Sequence, residues 1–422
     1  MTRITKNTIL QYISDNRTIE NSINRHRIFN VNDKPLQNGI IAYFCDREIR
    51  INDNFALQFG KQKSVEYNLQ FKIIFERKNF EIFQKQNFFE EQMKFVRENL
   101  TKLGYDFEET ENISEYLNNN NNKIALLIVD FNPIRDRKFF EKYDFKIVEI
   151  DGHNIVPARY VSEKQEYNAS TLRSKIYGKI DEFLTEFVKI TDEKSKSECV
   201  LDDFIKNKLQ FYAEKKNNPT NDVLSGMSKY LNWGFISSQR IALNVIKADV
   251  ETINKEVFIE ELIVRKELAD NFCLFAESYK DFSSVPNWAK NTLNNHRFDL
   301  RAYVCDTKDF EFAKTHDRLW NATQNQLLRE GKIHGYLRMY WAKKILEWTK
   351  NPEDAIKTAI YLNDKYAFDA PSSNGYVGIL WAIAGLHDRA FQDWFVTGKI
   401  RRMTDKSISI KFPIQNYIVK YS

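Results

Sequence analysis

The residues with the clearest potential for redox chemistry are tryptophans, and all of them lie in the second half of the chain. The seven are Trp233, Trp288, Trp320, Trp341, Trp348, Trp381 and Trp394. Indole rings suit core packing, and they also suit stacking on flat partners such as bases or a cofactor. Trp341 and Trp348 are seven residues apart, which is two helical turns or about 10 Å on one face. The spacing is compatible with core packing and with electron transfer between indoles. Taken alone, it favours core packing.

A carboxylate and a guanidinium occur on a helical pattern that is otherwise apolar. Helical spacing in Val257–Phe275 puts four residues on one face, namely Glu261, Arg265, Leu268 and Phe272. Charged groups on an apolar face need partners. Two interpretations are open, an i,i+4 ion pair within the helix or a polar ligand that both residues contact.

Two further segments could bind anions. Ser225–Ser228 (SGMS) offers small residues and hydroxyls ahead of a helical pattern, which suits either phosphate binding or an ordinary N-cap. In Ser372–Met403, basic residues alternate with aromatic ones, as in nucleic-acid contacts or on a solvated basic face. The residues concerned are Trp381, Arg389, Phe391, Lys399, Arg401 and Arg402.

Other kinds of site find little support in the sequence. No GxGxxG, GxxxxGK[ST], GxSxG or HExxH motif occurs, and the six histidines show no ligand spacing, so we expect no metal site. Four scattered cysteines without a CxxC pair favour a reducing compartment. We expect a soluble cytoplasmic protein, since the first residues lack a signal-peptide pattern and no apolar run could span a membrane. The net charge of +5 is compatible with an anionic partner.

Strand and helix patterns divide the chain into two parts. Apolar runs predict strands at Gly39–Cys45, Asn68–Phe75, Lys123–Phe131 and Phe145–Asp151, with a helix at Phe88–Gly104. Strands that alternate with helices predict a parallel sheet covered by helices. From about residue 160 the pattern changes, and helices dominate. We therefore expect an α/β domain over 1–165, a linker over 166–195 and a helical domain over 196–422.

Several segments resemble the class II cyclobutane pyrimidine dimer photolyases of the photolyase/cryptochrome family. In the second half these are EELIVRKELADNF, THDRLWNATQ, GYLRMYWAKKILEW, LNDKYAFD, NGYVGILWAIAGLHDRAF and GKIRRM. In the first half they are RINDNFALQFG, VDFNPIRDRKFF and EIDGHNIVPARYVSEKQEYNASTLRSKI. The match is collinear from about Asn24 onward.

The resemblance implies a fold and an activity. The family has a Rossmann-like α/β domain, a linker and an all-helical FAD domain. It repairs DNA under light: photoexcited reduced FAD gives an electron to a flipped-out pyrimidine dimer, and the cyclobutane ring splits. The enzyme would be a monomeric carbon–carbon lyase acting on UV-damaged duplex DNA, with no membrane partner. Some members carry a second, deazaflavin-type antenna, and the sequence leaves its presence here open.

The resemblance also assigns roles to residues. The implied FAD contacts are Tyr212, Leu224, Ser225, Gly226, Met227, Ser228, Arg265, Arg338, Asn363 and Asp369. Trp341, Trp320 and Trp348 would photoreduce FAD, and Glu261 would bond the dimer and stabilise its radical anion. The implied substrate and DNA contacts are Lys216, Asn217, Met339, Trp381, Arg389, Phe391 and Arg401.

At three positions the chain departs from the family pattern. Phe391 stands where Trp is usual, Lys216 where Arg is frequent, and Gly226 where Asn is common. Phe391 keeps a ring with less area, while Lys216 lacks the planar guanidinium fork. These changes concern DNA affinity more than chemistry.

Two alternatives to a repair enzyme are a cryptochrome-like photoreceptor with the same flavin and a DNA-binding protein without flavin. Retention of Glu261, Met339 and Trp381 favours the enzyme.

Overall fold

The computed structural model describes residues 9–13, 23–136 and 138–422, which form two compact units. The first unit takes residues up to Lys164 together with Ser170–Gln210 and Ser225–Glu267. The second takes Gln165–Ala169, Phe211–Leu224 and Leu268–Ser422. The segment predicted to lack a signal peptide lies mostly outside the described residues, as does Arg137 within one family-like segment. The domain boundaries near residues 165 and 195 stay a prediction.

A six-stranded sheet organises the first unit. Its strands are β1 Ile28–Asn30, β2 Ile40–Phe44, β3 Phe71–Glu76, β4 Phe107–Thr110, β5 Ile124–Asp130 and β6 Lys146–Ile150. The order across the sheet is β1-β6-β5-β2-β3-β4, in which β1 pairs antiparallel with β6 and all other pairs are parallel. Every residue of β5 is buried, which explains why its sequence is a continuous apolar run.

The carboxyl ends of β2 and β5 meet where the direction of strand addition reverses. There the Asp130 carboxylate accepts hydrogen bonds from the backbone N–H groups of Asp46, Arg47 and Glu48, each at 3.0 Å. Burial raises the pKa of Asp130 well above its ordinary value, and the neighbouring acids Asp46 and Glu48 add to the rise. One carboxyl group thus holds the whole loop that follows β2.

Helices make up most of the remaining structure. In the described part of the chain they are α1 Phe55–Tyr67, α2 Phe83–Lys102, α3 Ile113–Asn119, α4 Ala158–Val161, α5 Ala169–Tyr177, α6 Ile180–Phe183, α7 Lys196–Asp203, α8 Tyr212–Lys215, α9 Ser228–Asn232, α10 Ser238–Lys247, α11 Thr252–Ile259, α12 Lys266–Phe275, α13 Asn287–Asn295, α14 Thr307–Glu311, α15 Arg318–Glu330, α16 Gly335–Trp348, α17 Pro352–Tyr366, α18 Ser373–Ala384, α19 Asp405–Ser409 and α20 Ile414–Tyr421. Two π-helical segments, Phe204–Lys208 and Glu260–Arg265, interrupt this series.

Local sequence signals start and stop the helices of the second unit that carry most of the predicted site. Asp317 caps α15 by accepting from the Trp320 N–H at 2.9 Å, and Asn351 caps α17 by accepting from Asp354 at 2.8 Å. Gly331 and Gly385 end α15 and α18 in the left-handed conformation. Helix α16 contacts α15, α17 and α18, and most of its residues are buried.

Most of the predicted elements are present within a few residues of their predicted bounds. The four predicted strands correspond to β2, β3, β5 and β6, and the predicted helix to α2, which begins five residues earlier. Strands β1 and β4 were not predicted. They are three and four residues long and lie at the two edges of the sheet, so they lack a strong apolar pattern.

Candidate functional site

Three buried indoles form a ladder in the second unit. The ring centroids of Trp320 and Trp341 are 6.3 Å apart, with planes inclined by only 7°, and those of Trp320 and Trp348 are 6.2 Å apart. The Trp320 side chain donates to the Trp341 carbonyl oxygen at 3.0 Å, and the Trp341 side chain to Gln324 Oε1 at 2.9 Å. The structure therefore brings the three tryptophans together in the order 341, 320, 348. Such contacts permit an electron to move from ring to ring.

The structure also brings Arg338 and Asp369 together. Arg338 lies on α16 and Asp369 follows α17, and their side chains are 3.4 Å apart. The neighbouring Phe368 donates its N–H to the Gly331 carbonyl at 2.9 Å. A Cβ at Gly331, where φ is +64°, would come within 2.1 Å of the Phe368 ring. Gly331 is therefore required for Phe368, in the turn after α17, to pack against the end of α15.

Asn363 lies on the buried face of α17, against the first turn of α18. Its side-chain N–H₂ donates to Asp364 Oδ1 at 3.1 Å. A Cβ at Gly375 would approach Asn363 Nδ2 to 2.9 Å, so the amide touches the backbone of α18. Glycine at this position lets the two helices come close enough to fix the amide.

The sequence patterns did not reveal a tyrosine next to this amide. The Tyr376 hydroxyl donates to Asp364 Oδ2 at 2.9 Å. Burial raises the pKa of Tyr376 well above its ordinary value, and the Asp364 charge adds to the rise. The phenol therefore stays protonated and orients the carboxylate beside Asn363. No spacing rule links the two residues, because they lie on different helices.

Met339 and Trp381, the predicted walls of a dimer pocket, lie on the contacting helices α16 and α18. The Trp381 indole N–H is buried and finds no acceptor within the described residues. Nearby, Lys343 Nζ donates to the Ala382 carbonyl at 2.9 Å, and burial lowers the pKa of Lys343 to about 8. This lysine, which the sequence analysis missed, links α16 to the end of α18.

The predicted DNA contacts Arg389 and Arg401 share one aromatic ring. Their guanidinium carbons lie 5.4 and 5.2 Å from the centroid of Phe391. Both arginines are exposed, and the Phe391 N–H donates to the Lys399 carbonyl at 2.9 Å. The group therefore presents two cations to solvent on an aromatic support. Phenylalanine fills the supporting role at this position.

The segment Phe211–Leu224 carries Tyr212, Lys216, Asn217 and Leu224. Tyr212 is buried, and the Lys216 ammonium lies 5.7 Å from the centroid of its ring. Backbone hydrogen bonds close two successive turns from Lys215 to Asn221. Asn217 is exposed at the first of these turns.

The other part of the predicted phosphate segment, Ser225–Ser228, belongs to the first unit. Neither serine caps α9, because the N-cap is Met227 and makes no side-chain hydrogen bond. Ser225 Oγ instead accepts from the Met227 N–H at 3.3 Å. Gly226 has φ of +67°, and a Cβ there would meet nothing within 4 Å. The loop is thus small and open at Gly226.

One prediction about Glu261 is wrong. It was expected to share a face with Arg265, Leu268 and Phe272, yet Glu261 and Arg265 are exposed while the other two are buried. The cause is the π-helical segment, where the Lys266 N–H bonds to the Glu261 carbonyl five residues back and rotates the following turns.

The π-helical turn also changes the pairing of Arg265. It lies 3.6 Å from Glu260, which in turn accepts from Arg173 Nε at 3.0 Å. Arg265 therefore has a carboxylate partner at i−5 instead of the i−4 partner that ordinary helical spacing suggested.

Within residues 9–13, 23–136 and 138–422, no three His, Cys, Asp or Glu side chains cluster as metal ligands would. In the same part of the chain, no helix combines the length and apolar character needed to cross a membrane.

The sequence is similar to curated proteins that share one name. No protein-family model matches the chain. The deoxyribodipyrimidine photo-lyase of Oryza sativa subsp. japonica is 38% identical over 346 residues, which cover 70% of this chain and 68% of the relative. The protein of the same name from Arabidopsis thaliana is 32% identical over 442 residues, covering 90% and 88%. That from Potorous tridactylus is 36% identical, covering 71% and 64%.

Solved structures with little sequence identity share the fold. A bacterial class III photolyase from Agrobacterium tumefaciens superimposes with a TM-score of 0.66 at 16% identity, covering 92% of this chain and 87% of that one. A cryptochrome from Synechocystis sp. PCC6803 gives 0.68 at 14% identity, covering 92% and 89%. Together with the sheet and the helices described above, these likenesses confirm the predicted fold class.

Proposed function

This chain belongs to the deoxyribodipyrimidine photo-lyase family, and on that premise we propose that it repairs cyclobutane pyrimidine dimers in duplex DNA with reduced FAD as electron donor. The enzyme is a lyase that breaks carbon–carbon bonds under light. The observation that carries the electron-transfer part is the ladder of Trp341, Trp320 and Trp348, whose successive rings lie 6.3 and 6.2 Å apart.

Features of each unit, taken by itself, suit parts of a flavin dinucleotide. In the first unit, the Ser225–Ser228 loop is open at Gly226 and carries two hydroxyl groups, which suits phosphate oxygens. Arg338 and Asp369 offer a donor and an acceptor as a fixed pair, and the Asn363 amide offers both in one group. When bound, FAD would supply the light-excited electron and take it back after the ring splits.

The protein's own groups would orient and stabilise the substrate. The dimer leaves the base stack, as in other enzymes that act on a base. Met339 and Trp381 would then form the walls of its pocket. The buried Trp381 N–H, without an acceptor in the described structure, is a donor available for a pyrimidine carbonyl. Glu261 would hydrogen-bond the dimer and stabilise the charge that develops on it.

The exposed cations would hold the DNA backbone. The guanidinium carbons of Arg389 and Arg401 lie 5.4 and 5.2 Å from the centroid of the same Phe391 ring, which brings two exposed cations together for phosphate contacts. Lys216 and Asn217 lie in tight turns that would enter the space left by the flipped bases. These contacts set affinity and register, and they take no part in splitting the ring.

The absorption spectrum of the purified protein before and after denaturation tests the cofactor. We expect a yellow or blue protein that releases one FAD per chain, and a deazaflavin-type antenna would appear as an additional band. Asp369→Ala should lose flavin, whereas Asp354→Ala, in the first turn of the helix that precedes Asp369, should keep it. Colourless protein that fails to take up FAD would contradict the proposal.

A further inference from the structure

The outer end of the tryptophan ladder is covered by two more rings. Trp348 is itself buried, with 6% of its surface exposed. The centroid of the His316 ring lies 4.5 Å from that of Trp348, and the Tyr303 ring stacks on His316 with centroids 3.5 Å apart and planes inclined by 16°. Tyr303 is 52% exposed. A continuous series of ring contacts therefore runs from the buried indoles to the surface.

Backbone and side-chain hydrogen bonds hold these rings in place. The Cys305 N–H donates to the Trp348 carbonyl at 2.9 Å, which ties the segment that carries Tyr303 to the end of α16. On the other side, Thr315 donates to Asn321 Oδ1 at 2.7 Å and fixes the turn that carries His316. The segments that carry Tyr303 and His316 are thus both held by hydrogen bonds, which keeps the two rings stacked.

A surface tyrosine could pass electrons from a reductant in solution to the buried ladder. An electron hole on Trp348 has little contact with water or with a soluble reductant. A phenol at the surface can give up an electron together with its proton, and the neutral radical then meets reductants directly. Partial burial lowers the pKa of His316, which favours the neutral ring and so disfavours an added positive charge beside the hole.

We propose that Tyr303 is the surface terminus of the ladder, with the His316 ring as the bridge to Trp348. One electron passes from Tyr303 to oxidised Trp348, which becomes neutral, and the phenolic proton leaves to water. An external thiol then gives a hydrogen atom to the tyrosyl radical and becomes a thiyl radical. The proposal rests on the proposed function, because photoreduction is what oxidises the ladder.

A second exposed ring lies close enough to serve as a control. Trp394 lines an open cavity together with Trp348, and 44% of its surface is exposed. The Arg402 guanidinium carbon lies 5.0 Å from the centroid of the Trp394 ring, closer than the Lys344 ammonium, which is 5.7 Å from the centroid of Trp348, so a positive hole is less favourable on Trp394. We therefore expect the hole to leave by Tyr303 and to avoid Trp394.

Pulse radiolysis of the flavin-free protein tests the relay without the cofactor. Azide radicals oxidise indoles, and the decay of the indolyl absorption into that of a tyrosyl radical reports transfer to a tyrosine. Tyr303→Phe should lower the amplitude of the intramolecular phase severalfold, whereas Trp394→Phe should leave it near the parent value. An unchanged amplitude in Tyr303→Phe, or a loss confined to Trp394→Phe, would overturn the assignment.

Two substitutions test the bridge. His316→Phe keeps a ring in the stack and should keep the transfer, while His316→Ala removes the ring and should slow it severalfold. Transfer in His316→Ala at the parent rate would show that the bridge is wrong.

Flash photolysis of the protein loaded with oxidised FAD then repeats the comparison, with the tyrosyl signal in electron paramagnetic resonance as the readout. A tyrosyl signal in the parent that is lost in Tyr303→Phe supports the relay. Failure to bind flavin, alongside normal radiolysis, would contradict the proposed function and leave the relay standing.

Discussion

Trp320 lies between Trp341 and Trp348 although it precedes both in sequence and belongs to a different helix. Its ring is nearly parallel to that of Trp341, with planes 7° apart, and it meets Trp348 at 66°. Its N–H bonds to the Trp341 carbonyl, so the ring that bridges the other two cannot rotate freely. A ladder made from two helices is fixed in geometry by the packing of α15 on α16.

The first prediction separates electron supply from repair. Trp341→Phe keeps the shape of the site but removes the easily oxidised indole, so photoreduction of oxidised flavin should slow severalfold. Repair should proceed nearly as in the parent once dithionite has reduced the flavin, because the ladder only refills the cofactor. Loss of the oxidised-flavin bands under light with a mild reductant, followed by a repair assay, measures both.

Trp288→Phe is the matched control for this ladder variant, since it removes an indole outside the ladder. Its photoreduction should equal that of the parent. If Trp341→Phe photoreduces normally, the electrons take another route; if it stays inactive with reduced flavin, Trp341 serves packing or shapes the site.

The second prediction concerns Glu261. Glu261→Gln should still bind FAD and damaged DNA but repair severalfold fewer dimers per absorbed photon, because the developing negative charge loses a protonatable partner. Glu260→Gln is the matched control: it breaks the pairs with Arg173 and Arg265 without touching the predicted dimer contact. Equal quantum yields for Glu261→Gln and the parent would remove Glu261 from catalysis.

The third prediction concerns DNA affinity. Arg401→Ala should weaken binding to damaged duplex and lower the slope of log affinity against log salt by roughly 0.9, the value for one phosphate contact. Arg329→Ala makes the same charge change where the guanidinium donates to the Ser422 carbonyl at 2.8 Å, and it should leave the slope unaltered. Equal slopes for Arg401→Ala and the parent would exclude Arg401 from the interface.

The fourth prediction concerns pH. His296 lies between two carboxylates, with Nδ1 2.6 Å from Asp299 and Nε2 2.8 Å from Asp393. The hydrogen bond with Asp299 raises the pKa of His296 above its ordinary value of 6.5, against a smaller effect of burial, and the charges of both aspartates add to the rise. A raised histidine pKa stabilises the fold fully below the unfolded value and loses that contribution as pH rises through the folded value.

The stability difference between the parent and His296→Gln should therefore be largest below pH 6.5 and shrink at higher pH. We expect a difference of about 1–4 °C in Tm at low pH for this partly exposed group. Thermal unfolding of the parent and His296→Gln at several pH values below and above 6.5 measures this difference in Tm. A difference that grows with pH would contradict the pairing.

Local patterns in the sequence were enough to predict the elements whose burial is uniform. Strand β5 is apolar from Ile124 to Val129 because every one of its residues is buried, so its pattern has one interpretation. The π-helical segment at Glu260–Arg265 was not predictable, since its extra residue per turn leaves no mark in the apolar spacing. Applying ordinary 3.6-residue helical spacing across this segment placed Glu261 on the wrong face of the helix.

Contacts between helices were the other limit. The spacing of Trp341 and Trp348 was visible, but only packing of α15 on α16 places Trp320 between them. The pairing of Tyr376 with Asp364 and the stacking of Tyr303 on His316 likewise join residues for which no local rule applies. The resemblance to a family supplied roles for individual residues, and those roles remain predictions for the experiments above.

The measurement that tests the central claim most directly is repair of a defined substrate. Protein with chemically reduced flavin is mixed with a duplex oligonucleotide that carries one thymine dimer and is held in the dark or under blue light. The account predicts that illuminated samples regain two intact thymines in multiple turnovers while dark samples bind the duplex without change. Flavin-loaded, reduced protein that binds the lesion yet leaves the dimer intact under light would contradict it.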